Sequence, residues 1–78
     1  MKEIRLRNEN ILLIYDEDIT VYDLKDINET TAYTKTKKNL NKCWQEVEQI
    51  FNDKTNFRDI TELFNKYEIR YHRYCGLD

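Results

Sequence analysis

The sequence predicts an α+β fold in which a three-stranded antiparallel meander is covered on one face by two helices, with a fourth strand at the C terminus. Three observations lead to this fold. Apolar residues alternate near the N terminus, two later segments have helical apolar spacing, and residues 67–76 near the C terminus are rich in tyrosine. A chain of 78 residues forms one domain, residues 1–78, with a thin core.

The first strands are predicted within residues 3–24, where polar breaks at residues 8–10 and 16–18 separate the apolar runs. Both breaks are three residues long and rich in Asn, Asp and Glu, so consecutive strands are expected to pair through tight turns. The run ILLIY is apolar on both faces, which predicts a central strand. The residues that alternate are Ile4, Leu6, Ile11, Leu13, Tyr15, Ile19, Val21 and Leu24.

Residues 25–35 are polar and without period, so they are predicted to be a loop that leads from the sheet to the first helix. That helix is expected from about Thr36 to Asn52. Its apolar stripe consists of Leu40, Cys43, Trp44, Val47, Ile50 and Phe51.

The second helix is predicted to start near Asn56, whose side chain can accept from the free amides of the first turn. Acidic Asp59 and Glu62 lie early and Lys66 lies late, in agreement with the helix dipole. Its apolar face consists of Phe57, Ile60, Leu63, Phe64 and Tyr67.

The segment YEIRYHRYCG, residues 67–76, fits two periodicities. Helical spacing would extend the second helix to Tyr74, whereas alternation and residue type favour a strand that pairs with the meander. We predict the strand. Arg70, His72 and Tyr74 would then share one face, with Ile69 and Tyr71 on the inner face.

The composition excludes several classes of enzyme. With one glycine, no Walker-type loop or dinucleotide fingerprint can form. The chain has no serine, and His72 is its only imidazole, so the usual hydrolase constellations cannot be assembled within one chain. We expect a protein that is not an enzyme and needs no cofactor.

The two cysteines, Cys43 and Cys75, are too few for a disulfide framework, and the first residues are charged without an apolar signal region. These features predict a reducing, cytoplasmic setting. The longest apolar run has five residues, so no membrane segment is expected.

Two weak metal-binding patterns are present. His72 and Cys75 form an H-x-x-C pair, which supplies only two of the four ligands of a zinc site and would need a homodimer to complete it. The acidic residues 16–18 could bind a divalent cation, but no EF-hand spacing supports this. No metal is predicted.

Two basic or aromatic groups are candidate binding residues. Four lysines precede or open the first helix, where cations oppose the helix dipole and an anion would be favoured; the alternative is a solvated lysine face. The C-terminal cluster is typical of surfaces that stack bases or contact proteins, although tyrosines also commonly cover a small core. The residues are Lys35, Lys37, Lys38, Lys42, Arg70, His72, Arg73 and Tyr74.

A third candidate is an acidic row near the N terminus, which could imitate phosphates toward a nucleic-acid-binding target. Residues 1–31 have a net charge of −4, while the whole chain has −2. The row consists of Asp16, Glu17, Asp18, Asp23, Asp26 and Glu29.

These features together predict a small protein-binding module. Its size and its bias toward Ile, Asn, Lys and Tyr are typical of proteins that viruses or mobile elements of low-GC bacteria use to inhibit a larger host protein, including defence nucleases. The alternative is a nucleic-acid-binding regulator, as a monomer or a homodimer, that uses the basic groups; the negative net charge of the chain opposes it. The acidic and the basic surfaces are both candidates for the binding site.

Overall fold

A computed structural model describes residues 3–25, 31–34 and 39–74, and for residues 31–34, 73 and 74 the backbone alone. The elements follow the order β1 (Ile4–Arg7), β2 (Ile11–Tyr15), β3 (Ile19–Asp23), β4 (Thr31–Thr34), α1 (Leu40–Ile50), α2 (Phe57–Lys66) and β5 (Tyr71–Tyr74). The five strands form one sheet in sequence order, and each neighbouring pair is antiparallel. The predicted α+β class, the meander and the C-terminal strand are confirmed.

The turn between β1 and β2 is organised by one asparagine. Oδ1 of Asn8 accepts hydrogen bonds from the backbone N–H of Asn10 at 2.7 Å and of Ile11 at 2.9 Å. Such bonds from Asn to nearby backbone are the reason this residue favours turns. The turn therefore sets the register in which Leu6 pairs with Leu13.

Strand β4 corrects the prediction of a loop over residues 25–35, because Thr31–Thr34 pairs with β3 and with β5. The segment TAYT contains residue types that suit strands but no apolar alternation. Its pairing partners lie elsewhere in the chain, so local pattern did not reveal it. The C-terminal strand consequently pairs with β4 and not with the three-stranded meander.

Helix α1 begins at Leu40, later than the predicted Thr36, and ends at Ile50. Asn39 precedes it in the left-handed region with φ of 66° and makes no side-chain cap to the helix. Its side-chain Nδ2 donates instead to the carbonyl oxygen of Tyr67, 3.1 Å away. Asparagine tolerates this backbone conformation better than most residues.

Helix α2 starts as predicted, with Asn56 as its N-cap. The amide of Asp59 donates to Oδ1 of Asn56 and the amide of Asn56 donates to Oδ2 of Asp59, both at 3.0 Å, which forms a reciprocal capping box. The exit after α2 places Glu68 at φ of 57°. The amide of Ile69 then donates to the carbonyl of Phe64 at 2.8 Å and closes the helix.

The core lies between the two helices and one face of the sheet. Both helices contribute their predicted apolar stripes, and Trp44 packs against Tyr15 with ring centroids 5.1 Å apart. Among the described residues, Nε1 of Trp44 has no hydrogen-bond acceptor. The buried apolar residues are Ile11, Leu13, Ile19, Val21, Leu40, Cys43, Trp44, Val47, Phe57, Ile60, Leu63, Phe64 and Ile69.

A polar clamp, consisting of Asn8, Asn10 and Thr55, joins the sheet to the connection between the helices. Nδ2 of Asn8 donates to the carbonyl oxygens of Asn52 at 2.7 Å and of Thr55 at 2.8 Å. Nδ2 of Asn10 donates to the carbonyl oxygens of Lys54 at 3.4 Å and of Thr55 at 3.3 Å, which are longer distances. The buried hydroxyl of Thr55 accepts from the amide of Asn52 at 2.9 Å. The clamp thereby fixes the helical layer against the first turn of the sheet.

Within the described ranges, no helix combines the length and the apolar character that a membrane-spanning segment needs.

Candidate binding surface

The face of the sheet opposite the helices is a surface of arginine, apolar and aromatic side chains. Antiparallel partners lie on the same face, so two rows cross the first three strands: Arg5–Ile14–Thr20 and Arg7–Leu12–Tyr22. We call this surface, with its described residues from the last strand, the open face. Its members are Arg5, Arg7, Leu12, Ile14, Thr20, Tyr22, Arg70 and His72.

The register extends the first row to the far edge of the sheet. Thr20 pairs with position Tyr33, and Tyr33 pairs with His72 in β5. Arg70 is exposed and lies between buried Ile69 and half-buried Tyr71, so it belongs to the same side as His72. Arginines therefore lie at both margins of the open face.

Exposure differs sharply between the two faces of the same strands. Four side chains of β2 and β3 beneath the helices, Ile11, Leu13, Ile19 and Val21, are fully buried. On the other face Leu12, Ile14 and Thr20 are half-buried and Tyr22 is 38% exposed. No described helix or strand covers the open face. Leu12 and Ile14 thus leave apolar surface available to another molecule.

None of the eight open-face residues is acidic. Carboxylates lie at the ends of the strands, and that of Glu3 pairs with an arginine of the face: its Oε2 is 2.6 Å from Nε of Arg5. Both side chains are exposed, so this ion pair contributes little to folding stability, about 0 to 1 kcal/mol. Sequence reasoning missed Arg5 and Arg7, because only the strand register shows that they share a surface with Leu12, Ile14 and Tyr22.

The C-terminal cluster divides between the two faces as the strand prediction required. Ile69 is buried, and the ring of Tyr71 packs on Phe64 with centroids 5.2 Å apart. Arg70 and His72 are exposed on the other side. Arg73 and Tyr74 belong to β5 by their backbone, and Cys75 lies outside the described residues.

The predicted lysine group is described only in part. Lys42 is exposed in the first turn of α1, on the helical side of the molecule, while Lys35, Lys37 and Lys38 lie outside the described residues. Lys42 and Arg70 consequently belong to opposite layers. The described parts of the two basic groups do not form one surface.

The acidic row is likewise split. Residues Asp16, Glu17 and Asp18 form the turn after β2, where Oδ1 of Asp16 accepts from the amides of Glu17 and Asp18. Asp23 lies at the other end of β3, about 17 Å from Asp18 along the strand, and its Oδ1 accepts from the amide of Lys25 at 3.1 Å. Asp26 and Glu29 lie outside the described residues. The described carboxylates flank the two ends of the sheet and do not form one patch.

An ionic contact that sequence reasoning also missed links the two helices. Lys66 Nζ lies 2.8 Å from Oε1 of Glu46, and the hydroxyl of Tyr67 donates to the same oxygen at 2.6 Å. These hydrogen bonds, first that from Lys66, lower the pKa of Glu46 below its ordinary value. The bond to Glu46 raises the pKa values of both Lys66 and Tyr67. Glu46 is thus already paired within the chain.

A cleft of about 340 Å³ beside this contact is lined by Lys42, Gln45, Glu46, Gln49 and Tyr67. Its carboxylate is occupied by Lys66 and Tyr67, so the cleft is a structural feature of the helix pair. The thiol of Cys43 lies nearby in the core, where burial, followed by the negative charge of Glu46, raises its pKa to about 11. A thiol in this state is a poor nucleophile at neutral pH.

In the part of the chain that the structure describes, no group of three His, Cys, Asp or Glu residues is placed to hold a metal ion. The H-x-x-C hypothesis includes Cys75 and therefore falls partly outside that region.

No protein-family model, curated protein or solved structure matches this chain.

Proposed function

We propose that this protein is a small non-enzymatic binding module that docks on a larger protein through the open face. One observation supports the proposal above all others. Leu12, Ile14 and Tyr22 occupy a sheet face that no described element covers, while the core is complete on the other face of the same strands.

The chemistry of the open face suits a protein interface. Tyr and Arg are the residue types that most often dominate interface energetics, and fully desolvated apolar centres surrounded by polar rims are the usual arrangement. Here Leu12 and Ile14 lie on β2, directly opposite Arg7 and Arg5 on the edge strand β1, and Arg70 lies at the other margin. The face therefore has an apolar patch beside one charged margin and a further arginine at the opposite margin.

The identity of the target remains a prediction from composition: a host protein, inhibited by a protein that a virus or mobile element encodes. Phosphate imitation by a single acidic row receives no support from the described residues, since Asp18 precedes β3 and Asp23 is its last residue. The open face is the better candidate for contact with the target.

A nucleic-acid-binding regulator is the second candidate, and one observation favours it. Arg5, Arg7 and Arg70 lie on the same face as exposed Tyr22, and proteins that bind single-stranded nucleic acids combine basic and aromatic side chains in this way. The net charge of the chain, −2, opposes it.

The proposal is tested by placing a photo-crosslinking amino acid at Thr20, in the open face, or at Glu48, on the exposed side of α1. The two proteins are produced in the cells in which the chain is naturally made, and adducts are identified by mass spectrometry. We expect a protein adduct from position 20 and none from position 48. Adducts from position 48 alone would contradict docking through the open face.

A further inference from the structure

We infer that the surface docked on the open face is an acidic protein segment, with an apolar centre that meets Leu12 and Ile14 and carboxylates that meet the arginines at the margins. This inference rests on the proposed function and specifies the chemistry of the partner. It is carried by the charge of the open face and by the position of each charge on the sheet.

The arginines lie on both sides of the apolar residues, next to them on β1 and at the far margin beside β5. Arg5 and Arg7 lie on the β1 edge, and Arg70 lies just before β5 at the opposite edge. Four strand spacings separate these edges, or about 19 Å. A partner that fills the face must therefore satisfy positive charge at two separated margins, and complementary carboxylates are the side chains that pair with arginine in bidentate geometry.

The contact between Glu3 and Arg5 shows how such pairing would form. The chain itself places a carboxylate against this arginine at 2.6 Å, with the two side chains 43% and 62% exposed. An ion pair this exposed is weak and exchanges readily. A partner carboxylate can thus replace Glu3 at little cost, especially where the interface excludes water.

One feature makes a nucleic acid the weaker occupant. The apolar residues beside the arginines of β1, Leu12 and Ile14, are aliphatic, whereas base-stacking surfaces place aromatic rings there. Aliphatic side chains are better matched by the apolar residues of a protein segment.

A second copy of this chain is disfavoured by the same residues. Two copies stacked by their open faces would bring arginines together, with only Glu3, which is already paired with Arg5, beside each face to offset them. Stacking therefore brings no new carboxylate to the arginines at the margins.

The test uses the full chain as bait for a phage-displayed library of random peptides. We expect the enriched peptides to combine Asp or Glu with aliphatic or aromatic residues. Their affinity should fall at least about tenfold in the double variant Arg5→Glu/Arg7→Glu and should fall as salt is raised. The matched control Lys54→Glu/Arg58→Glu reverses two exposed charges in the helical layer and should leave the affinity unchanged.

The outcomes distinguish the acidic partner from the proposed docking on the open face. Peptides that are not acidic, or that bind the Arg5→Glu/Arg7→Glu variant normally, overturn the acidic partner. If those peptides lose affinity for the Tyr22→Ala variant, docking on the open face stands. Peptides insensitive to every open-face substitution overturn both. Circular dichroism of each variant establishes that a lost affinity reflects the surface and not unfolding.

Two further measurements cover the other occupants. Binding of a labelled single-stranded oligonucleotide is measured by fluorescence anisotropy. If the logarithm of the affinity falls linearly with log salt and Arg5→Glu/Arg7→Glu abolishes binding, a nucleic acid replaces both the acidic partner and the protein target. Sedimentation showing a dimer that the same variant dissociates would overturn the acidic partner in favour of a second copy. We expect no oligonucleotide binding and a monomer.

Discussion

The two faces of β2 and β3 differ although their residues alternate along the same two strands. Ile11, Leu13, Ile19 and Val21 are 0% exposed beneath the helices, whereas Leu12 and Ile14 on the other side are half-buried and Tyr22 is 38% exposed. The covered face explains why its residues are apolar, since they form the core. The open face has no such explanation within the described part of the fold.

The comparison shows that apolar character in a strand has two separable causes. Folding requires it on the face that the helices cover. On the other face an antiparallel sheet is usually polar, so leucine and isoleucine there point to contact with another molecule. The following predictions test this separation.

The largest effect is expected from truncation of the covered face. Leu13→Ala removes a fully buried side chain and should lower the free energy of unfolding by about 2 to 5 kcal/mol. Leu12→Ala, the neighbouring residue on the open face, should cost clearly less, about 1 kcal/mol. Urea unfolding monitored by Trp44 fluorescence measures both. Equal losses would show that the open face is part of the folding core.

A smaller loss is expected from the polar clamp that holds the covering layer in place. Asn8→Ala removes the Nδ2 group that donates to the carbonyls of Asn52 and Thr55, together with the Oδ1 that accepts from the turn amides of Asn10 and Ile11. We expect a loss of about 1 to 3 kcal/mol. Asn10→Ala is the matched control, because its contacts are longer. An effect of Asn10→Ala as large as that of Asn8→Ala would contradict the assignment of Asn8 as the main clamp.

The contact between the helices should make stability depend on pH. The lowered pKa of Glu46 adds stability that is present above its ordinary value of 4.5 and is lost as the pH falls through its folded pKa. The raised pKa values of Tyr67 and Lys66 add stability below their ordinary values of 10.0 and 10.5, which is lost as the pH rises through the folded pKa values. Stability should therefore peak between these limits.

Glu46→Gln should flatten both limbs of that profile, because the replaced carboxylate is the common partner. Thermal unfolding from pH 3 to 11 with wild type and variant is the measurement. Glu48→Gln, an exposed position on the same helix, is the control and should retain both limbs. Binding through the open face should be the same in both variants, since these residues lie on the helical side.

The smallest effect is expected where neither face is involved. Glu68 adopts φ of 57° at the exit of α2, a conformation that glycine occupies without steric cost. Glu68→Gly should therefore raise the free energy of unfolding, by up to about 1 kcal/mol. Glu68→Ala keeps the Cβ and should bring no gain. Destabilisation by glycine would mean that the Glu68 side chain itself supports the turn.

The elements that sequence analysis predicted correctly are those with local signals. Alternation between Ile4 and Asp23 fixed three strands and two turns, and the capping pair Asn56 and Asp59 marked the start of α2. Helix α1 was predicted four residues too early, because the lysine-rich segment before Leu40 lacks any signal that forbids a helix. Local chemistry was sufficient wherever neighbours in sequence were also neighbours in space.

The candidate surface could not be predicted in the same way. Arg5 and Arg7 lie in β1, whereas Tyr22 lies in β3, and only the register of β1, β2 and β3 brings them to one surface. Strand β4 depends on pairing with β5, about forty residues later. The pairing of Glu46 with Lys66 depends on how two helices pack. Each of these features depends on tertiary contacts, so no local pattern in the sequence indicates it.

The strands lie in the sheet in sequence order, but both helices come between β4 and β5 in the chain. The first three strands can form as two consecutive hairpins, since each hairpin closes only a three-residue turn. Pairing of Thr31 with Tyr74 must instead close a loop that contains α1 and α2, which costs more chain entropy and requires the helices to be in place. We expect β5 to join the sheet last during folding and its backbone amides to exchange hydrogen before those of the other strands. The C-terminal edge would therefore be the first part of the sheet to open.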